Sequence, residues 1–98
     1  MEPEFPGGYD AWLKYIARRI HENHDKFTSS DFGTCLVKFI VNRDGSVSNV
    51  QDSTMKGTQL AQVAVDAVRT GPKWITAKQN NQSVAAYRLQ AITLTQPK

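Results

Sequence analysis

The stretch Val37-Lys38-Phe39-Ile40-Val41-Asn42-Arg43-Asp44-Gly45-Ser46-Val47-Ser48-Asn49-Val50-Gln51 decides how this chain is read. Two apolar, β-branched runs flank an Asp-Gly pair, a strong short-range signal for a β-hairpin. That reading predicts Gly45 at positive φ and at an exposed turn, where a side chain is strained. The first strand is expected over about Thr34 to Asn42. Alternation places Cys35, Val37, Phe39 and Val41 on one face and Leu36, Lys38 and Ile40 on the other. Both faces carry apolar residues, so the strand is expected to be central or partly covered on both sides. The second strand, about Ser46 to Asp52, has Val47 out of phase with Val50, which predicts a bulge or a short pairing.

Upstream, Met1 to Gly8 reads as an irregular lead-in. Pro6 pushes Phe5 toward an extended conformation, and two glycines then permit a sharp turn. From about Asp10 to Asn23 the spacing is helical. Leu13, Ile16, Ala17 and Ile20 form one apolar stripe, with Tyr9 and Trp12 near its N-terminal end and Asp10 as N-cap. The polar run Asn23 to Asp31 is a connector. Downstream of the hairpin, a second helix is expected over about Thr58 to Thr70, burying Leu60, Val63, Ala64, Ala67 and Val68. Gly71-Pro72 stops it. Trp74 then lies in a tight connection, Asn80-Asn81 offers a turn, and a last strand runs from about Val84 to Thr95.

The predicted order is α-β-β-α-β. The expected fold class is α+β, a two-layer domain whose three-stranded antiparallel sheet is packed by two helices on one face. Phe39, Ile16, Leu60 and Val68 are expected to share one core, and Trp12 and Trp74 read as core or core-rim residues.

Composition narrows the function. Ninety-eight residues make one domain, 1–98, with 40% hydrophobic and 21% charged residues. The apolar runs are too short to span a bilayer. The acidic, polar start Met1-Glu2-Pro3-Glu4 is no signal peptide, so the chain is read as a fragment whose targeting region lies elsewhere. A net charge of +3 from scattered Lys and Arg, with Lys38, Lys56, Lys73 and Lys78 read as solvated surface, argues against a nucleic-acid partner. Cys35 is the single cysteine; it forms no internal disulfide and reads as a small buried hydrophobe. His21 and His24 sit one turn apart, but no third ligand completes a metal site and the spacing is not that of a zinc-protease helix. Ser29-Ser30-Asp31 and Ser53 lack a histidine base in sequence context. No enzyme, cofactor, metal or small-molecule substrate is therefore expected; a minimal hydrolase using His21 or His24 is the enzyme-class competitor.

The order of motifs resembles the C-terminal domain of TonB-type energy transducers, in the branch that opens with FPGG. The resemblance runs from Phe5-Pro6-Gly7-Gly8 through Tyr15-Ile16 to the alternating strand from Gly33 to Val41 and then Asp44-Gly45. It continues through Val47, Val50 and Ser53, the helix positions Leu60, Ala64, Ala67 and Val68, and Pro72, Trp74 and Ala77. The chain departs from the family where Glu22-Asn23 replaces Tyr-Pro, Ser30 replaces a glycine and Thr76 replaces a proline. Near the end, Ala91-Ile92-Thr93-Leu94 stands for Pro-Ile-x-Phe.

The resemblance implies a periplasmic, inner-membrane-anchored protein that binds the Ton box, a short strand of outer-membrane TonB-dependent transporters. It implies capture by β-augmentation and force transmission from inner-membrane motor proteins reached through an N-terminal region beyond this sequence. The gripping strand would be the last one, with Val84, Ala86, Tyr87, Arg88, Leu89, Gln90, Ala91 and Ile92 as partner-binding residues. The alternative is the same domain tethered to a membrane sensor or peptidase.

Overall fold

Strand alternation is strict in Gly33–Val41 (β1), where Cys35, Val37, Phe39 and Val41 are all fully buried and the residues between them are not. The computed structural model describes residues 2–95, so Met1 of the lead-in lies outside them. The other elements are the helix Tyr9–Glu22 (α1), the strand Val47–Asp52 (β2), the helix Gln59–Thr70 (α2), and the strands Ala77–Gln79 (β3), Gln82–Val84 (β4) and Ala86–Leu94 (β5). Strands β2, β1 and β5 pair antiparallel in that spatial order, which makes β1 central, as expected. Trp12 and Ile16 of α1 and Leu60, Ala64, Ala67 and Val68 of α2 join the buried face of β1 in one cluster. Phe39, Ile16, Leu60 and Val68 therefore do share a core, and the α+β reading holds.

The hairpin loop explains the Asp-Gly signal. The Gly45 N–H donates to the Asn42 carbonyl at 2.9 Å and the Asn42 N–H to the Ser46 carbonyl at 2.8 Å, with Gly45 at φ 88°. Asp44 Oδ1 accepts from the Ser46 N–H and hydroxyl, and these bonds lower the Asp44 pKa. Gly45 is buried rather than exposed, because the Lys73–Trp74 segment crosses over it. The predicted bulge sits at Asn49–Val50, two residues set against Phe39 between Ile40↔Ser48 and Lys38↔Gln51, with Asn49 at φ 52°. Asparagine tolerates that left-handed conformation because its short polar side chain can bond locally.

Three expectations are corrected by tertiary packing. Asp10 is not the N-cap of α1; Gly8 is, without a side-chain cap, and Asp10 lies in the first turn, where the helix dipole still favours it. The buried positions of α1 are Trp12 and Ile16, while Leu13 is 47% exposed and Ala17 is exposed. The helix is rolled by the aromatic cluster at its N-terminal end, where Phe5 lies 5.5 Å from both Trp12 and Trp74 and 5.3 Å from Tyr15. Burial of those rings outweighs that of one leucine. The last predicted strand is broken at Ala85. Its first part, Gln82–Val84, pairs with Ala77–Gln79 in a separate ribbon around Asn80-Asn81, both at positive φ, so Val84 belongs to β4 and not to the long terminal strand. The Leu36 and Ile40 face of β1 is half-buried, as suits the central strand of the sheet.

The connector holds a buried charge that its polar composition concealed. Two short 3-10 turns, His24–Lys26 and Ser29–Asp31, bring Asp31 to 1% exposure. Its carboxylate accepts the Thr28 N–H at 2.7 Å and the Leu60 N–H at 3.2 Å, tying the connector to the first turn of α2. The Thr28 bond, aided by the Leu60 and Gln59 amides, holds the Asp31 pKa below the ordinary carboxylate value against the opposing effect of burial. With the folded pKa depressed, this stabilisation is fully present above the unfolded value of about 3.9 and is lost as pH falls through the folded pKa. Asp31→Asn is expected to cost roughly 1.5–3 kcal/mol at pH 7 and to flatten the loss of stability below about pH 4. Urea unfolding at a series of pH values checks both; a variant with unchanged acid sensitivity contradicts the assignment.

Candidate functional site

The sheet has two outer edges, and the chain treats them differently. At β2 the Asn49 bulge twists a six-residue strand, a feature that blunts edges against further pairing. At β5, nine residues pair with β1 in unbroken register from Gly33↔Leu94 to Val41↔Ala86, and no strand among the described residues occupies the other side. This second edge is long, regular and open.

Which backbone groups are free follows from one residue. Leu36 accepts the Ser53 N–H at 2.7 Å and donates its own N–H to Thr54 Oγ1 at 2.9 Å, so even-numbered groups of β1 face β2. Odd-numbered groups of β1 then face β5, which makes Cys35↔Ile92, Val37↔Gln90 and Phe39↔Arg88 hydrogen-bonded pairs. Ala86, Arg88, Gln90 and Ile92 spend their N–H and C=O groups on β1. Tyr87, Leu89, Ala91 and Thr93 direct theirs outward, to solvent.

Side chains follow the same alternation. On the helix side, Gln90 is 7% and Ile92 2% exposed, while on the open face Tyr87 and Leu89 are 68% and 56% exposed. These are large apolar surfaces left beside an unpaired edge. Lys38 Nζ lies 4.9 Å above the Tyr87 ring, and Thr34 and Thr93 hydroxyls meet at 2.9 Å across the strands.

A groove runs along the helix side of this edge. One part, of about 750 Å³, is lined by Leu13, Ile16, Ala17 and Ile20 of α1 and by Ile92 and Leu94 of β5. The sequence stripe on α1 is thus real but only half of it is core; Leu13 and Ala17 wall the groove instead. The second part, of about 320 Å³, shares Tyr9 and Trp12 with the first and adds Trp74, Arg88 and Gln90. Arg88 Nε donates to Gln90 Oε1 at 3.2 Å.

The sequence-derived set therefore divides. Ala86, Tyr87, Arg88, Leu89, Gln90, Ala91 and Ile92 lie together on β5, with backbone groups free at the odd positions only. Val84 lies apart on β4. Sequence reading missed Thr93 as an edge residue and Leu13 and Ala17 as groove residues, although the helical stripe had singled out the latter two for a different role.

Other reactive groups lie away from the groove or lack partners for chemistry. Burial, and to a lesser degree the charge of Asp52, raises the Cys35 thiol pKa; the thiol points at the Thr54 carbonyl, 3.4 Å away. The His21 and His24 rings stack at 5.6 Å, and His24 Nε2 lies 2.9 Å from Asp25 Oδ1. Among the described residues, no cluster of three or more His, Cys, Asp or Glu could hold a metal ion, and no helix is long and apolar enough to cross a membrane.

No curated protein and no solved structure matches the chain. A family model does: residues 29–93, from the Asp31 turn to the outer end of β5, match that of the Gram-negative bacterial TonB protein C-terminal. The matched residues contain α2 and the whole sheet except Leu94, the last residue of β5, hence the outward groups of the open edge. By that match over most of its length, the chain belongs to the family of C-terminal domains of Gram-negative bacterial TonB proteins.

Proposed function

We propose that residues 1–98 form a single periplasmic domain of a TonB-like energy transducer that captures the Ton box of an outer-membrane transporter as an added strand on β5. Domains of this family are protein-interaction modules rather than enzymes, are periplasmic, and engage outer-membrane transporters. The observation that carries the reading is the outward row of unpaired backbone groups at Tyr87, Leu89, Ala91 and Thr93, bordered by an apolar groove. An extended peptide satisfies those groups by β-augmentation, and its alternate side chains enter the groove. Tyr87 and Leu89 lose their exposure to the outer side chains of the same peptide.

The arrangement suits a load-bearing contact. Pulled along its own axis, an added strand loads its ladder of hydrogen bonds together rather than one by one. Such a small interface resists force while its equilibrium affinity stays modest, on the order of micromolar. Force would reach the domain from inner-membrane motor proteins through a segment N-terminal to α1.

The test uses proline at two adjacent positions. Leu89→Pro removes an outward N–H that is unbonded in the free domain, so stability is expected to change by less than about 0.5 kcal/mol. Capture of labelled peptides from transporter plug N-termini should be lost. Gln90→Pro removes an N–H bonded to Val37, and the fold itself should weaken by about 3 kcal/mol. Backbone chemical shifts supply the independent check. If a saturating plug peptide leaves residues 86–94 unmoved while another surface responds, β5 is not the site.

A further inference from the structure

The lead-in is tied down before α1 begins. Glu4 and Ile75 exchange both backbone bonds, the Glu4 N–H to the Ile75 carbonyl at 3.0 Å and the Ile75 N–H to the Glu4 carbonyl at 2.8 Å. On either side of that bridge Pro3 is fully buried and Phe5 is 8% exposed, its ring packed against Trp12, Trp74 and Tyr15. The Phe5 carbonyl then accepts the Gly8 N–H at 2.9 Å, closing a reversal through Gly7 and Gly8, both at φ 86°. Ile75 adjoins Trp74, whose N–H is bonded to the Gly45 carbonyl and whose ring meets Phe39 of β1. The start of α1 is weak by comparison, because Gly8 caps it with no side-chain bond. Exposed helix ends are among the first parts of a fold to open. The lead-in and α1 also precede residue 29, so the family match does not account for them.

We infer that the lead-in is a load-bearing clamp, which passes tension arriving from the N-terminal side to the Trp74–Ile75 segment and so to β1, bypassing α1. This inference rests on the force-transmission reading above. Without the clamp, tension would open the Gly7–Gly8 reversal and then strip α1 from its first turn, one hydrogen bond at a time. With the clamp shut, the backbone bonds of Glu4 and the buried side chains of Pro3 and Phe5 yield together, because they lie on consecutive residues. The load then crosses to Ile75 and Trp74. From there it reaches the hairpin turn through the Gly45 carbonyl, and the middle of the central strand through the Phe39 ring. A strand paired on both sides is the part of this fold best placed to hold it.

Magnetic tweezers test this on the whole chain, with one handle at its C-terminus and the other either at its N-terminus or on Asp10→Cys, just past the lead-in. Cys35 is 0% exposed and does not compete for the handle. Pulled from the N-terminus, the unmodified protein should lengthen in its main rupture only. Pulled from Asp10→Cys, it should lengthen earlier and at lower force, as α1 peels. In the double variant Glu4→Pro, Phe5→Ala, pulling from the N-terminus should add a step of up to about 25 Å, the reach of residues 2–8 when extended, followed by the same early peeling. A general loss of stability lowers the force of the main rupture but adds no such step, so the step isolates the clamp. An early step in the unmodified protein, the same order of events from both handles, or no added step in the double variant each overturns the inference. No peptide is present in this experiment, so its failure leaves edge capture standing; that reading is decided by the plug-peptide shifts alone.

Discussion

Phe39→Ala is expected to destabilise the domain by about 3–5 kcal/mol. Its ring is fully buried at the centre of β1, the central strand, and lies 5.0 Å from the Trp74 ring at an interplanar angle of 60°. Trp74 in turn contacts Trp12 at 5.6 Å and Phe5 at 5.5 Å. Truncating Phe39 thus leaves a cavity under the sheet and removes an edge-to-face partner from the aromatic cluster that fixes the roll of α1. Cavity formation dominates, because neighbours held by a paired strand and two helices relax only partly. Domains of this size are stable by about 5–15 kcal/mol, so the variant should sit near the limit of folding at 37 °C. The urea midpoint measures it; a loss below roughly 1 kcal/mol would contradict a single core shared by both helices and the sheet.

Gly45→Val should cost about 2–4 kcal/mol for a different reason. A Cβ at Gly45 would stand 2.6 Å from the Trp74 carbonyl oxygen and 3.3 Å from Lys73 Cβ, at a residue already held at φ 88°. The obstructing atom is backbone, and the same segment is anchored by the Trp74 N–H to the Gly45 carbonyl at 2.8 Å. Either the turn gives way or the Trp74 segment lifts from the core. Gly57→Ala separates the two contributions, because Gly57 shares the positive φ, 83°, but has nothing within 4 Å of a built Cβ. That control should lose only about 1 kcal/mol. Thermal unfolding reads the cost, and a red-shifted tryptophan emission in Gly45→Val alone identifies the displaced segment. Equal melting of Gly45→Val and the parent protein would remove the support for this turn geometry.

Val47 and Val50 show how far alternation can be read. Their broken phase predicted a bulge or a short pairing, and the structure has the bulge, at Asn49–Val50 with Asn49 at positive φ. The buried face of β1, the stripe of α2 and the turn at Asn80-Asn81 were legible for the same reason: each is set by neighbours two to four residues apart. Leu13 was misread because periodicity defines an apolar stripe but not what covers it. The aromatic cluster of Phe5, Trp12 and Trp74, drawn from three distant segments, set the roll of the helix. Asp31 was illegible as a buried group, since polar composition says nothing of the Leu60 amide that receives it from 29 residues away.

Alone, the sequence determined the local grammar of this protein: the hairpin and its glycine, two amphipathic helices, the inward face of β1, and the order of motifs that carries the family. Whether an edge is free is a relation between strands, so only the tertiary structure decided that β5 is open and β2 is blunted. The register with β1 then decided which backbone groups look outward, at Tyr87, Leu89, Ala91 and Thr93. It was packing, too, that broke the last predicted strand at Ala85, turned Leu13 toward the groove and set Arg88 beside Gln90 and Glu2. The physical reason is range. Torsional preference and hydrophobic period act over a few residues, whereas a binding edge exists only once segments about fifty residues apart have paired.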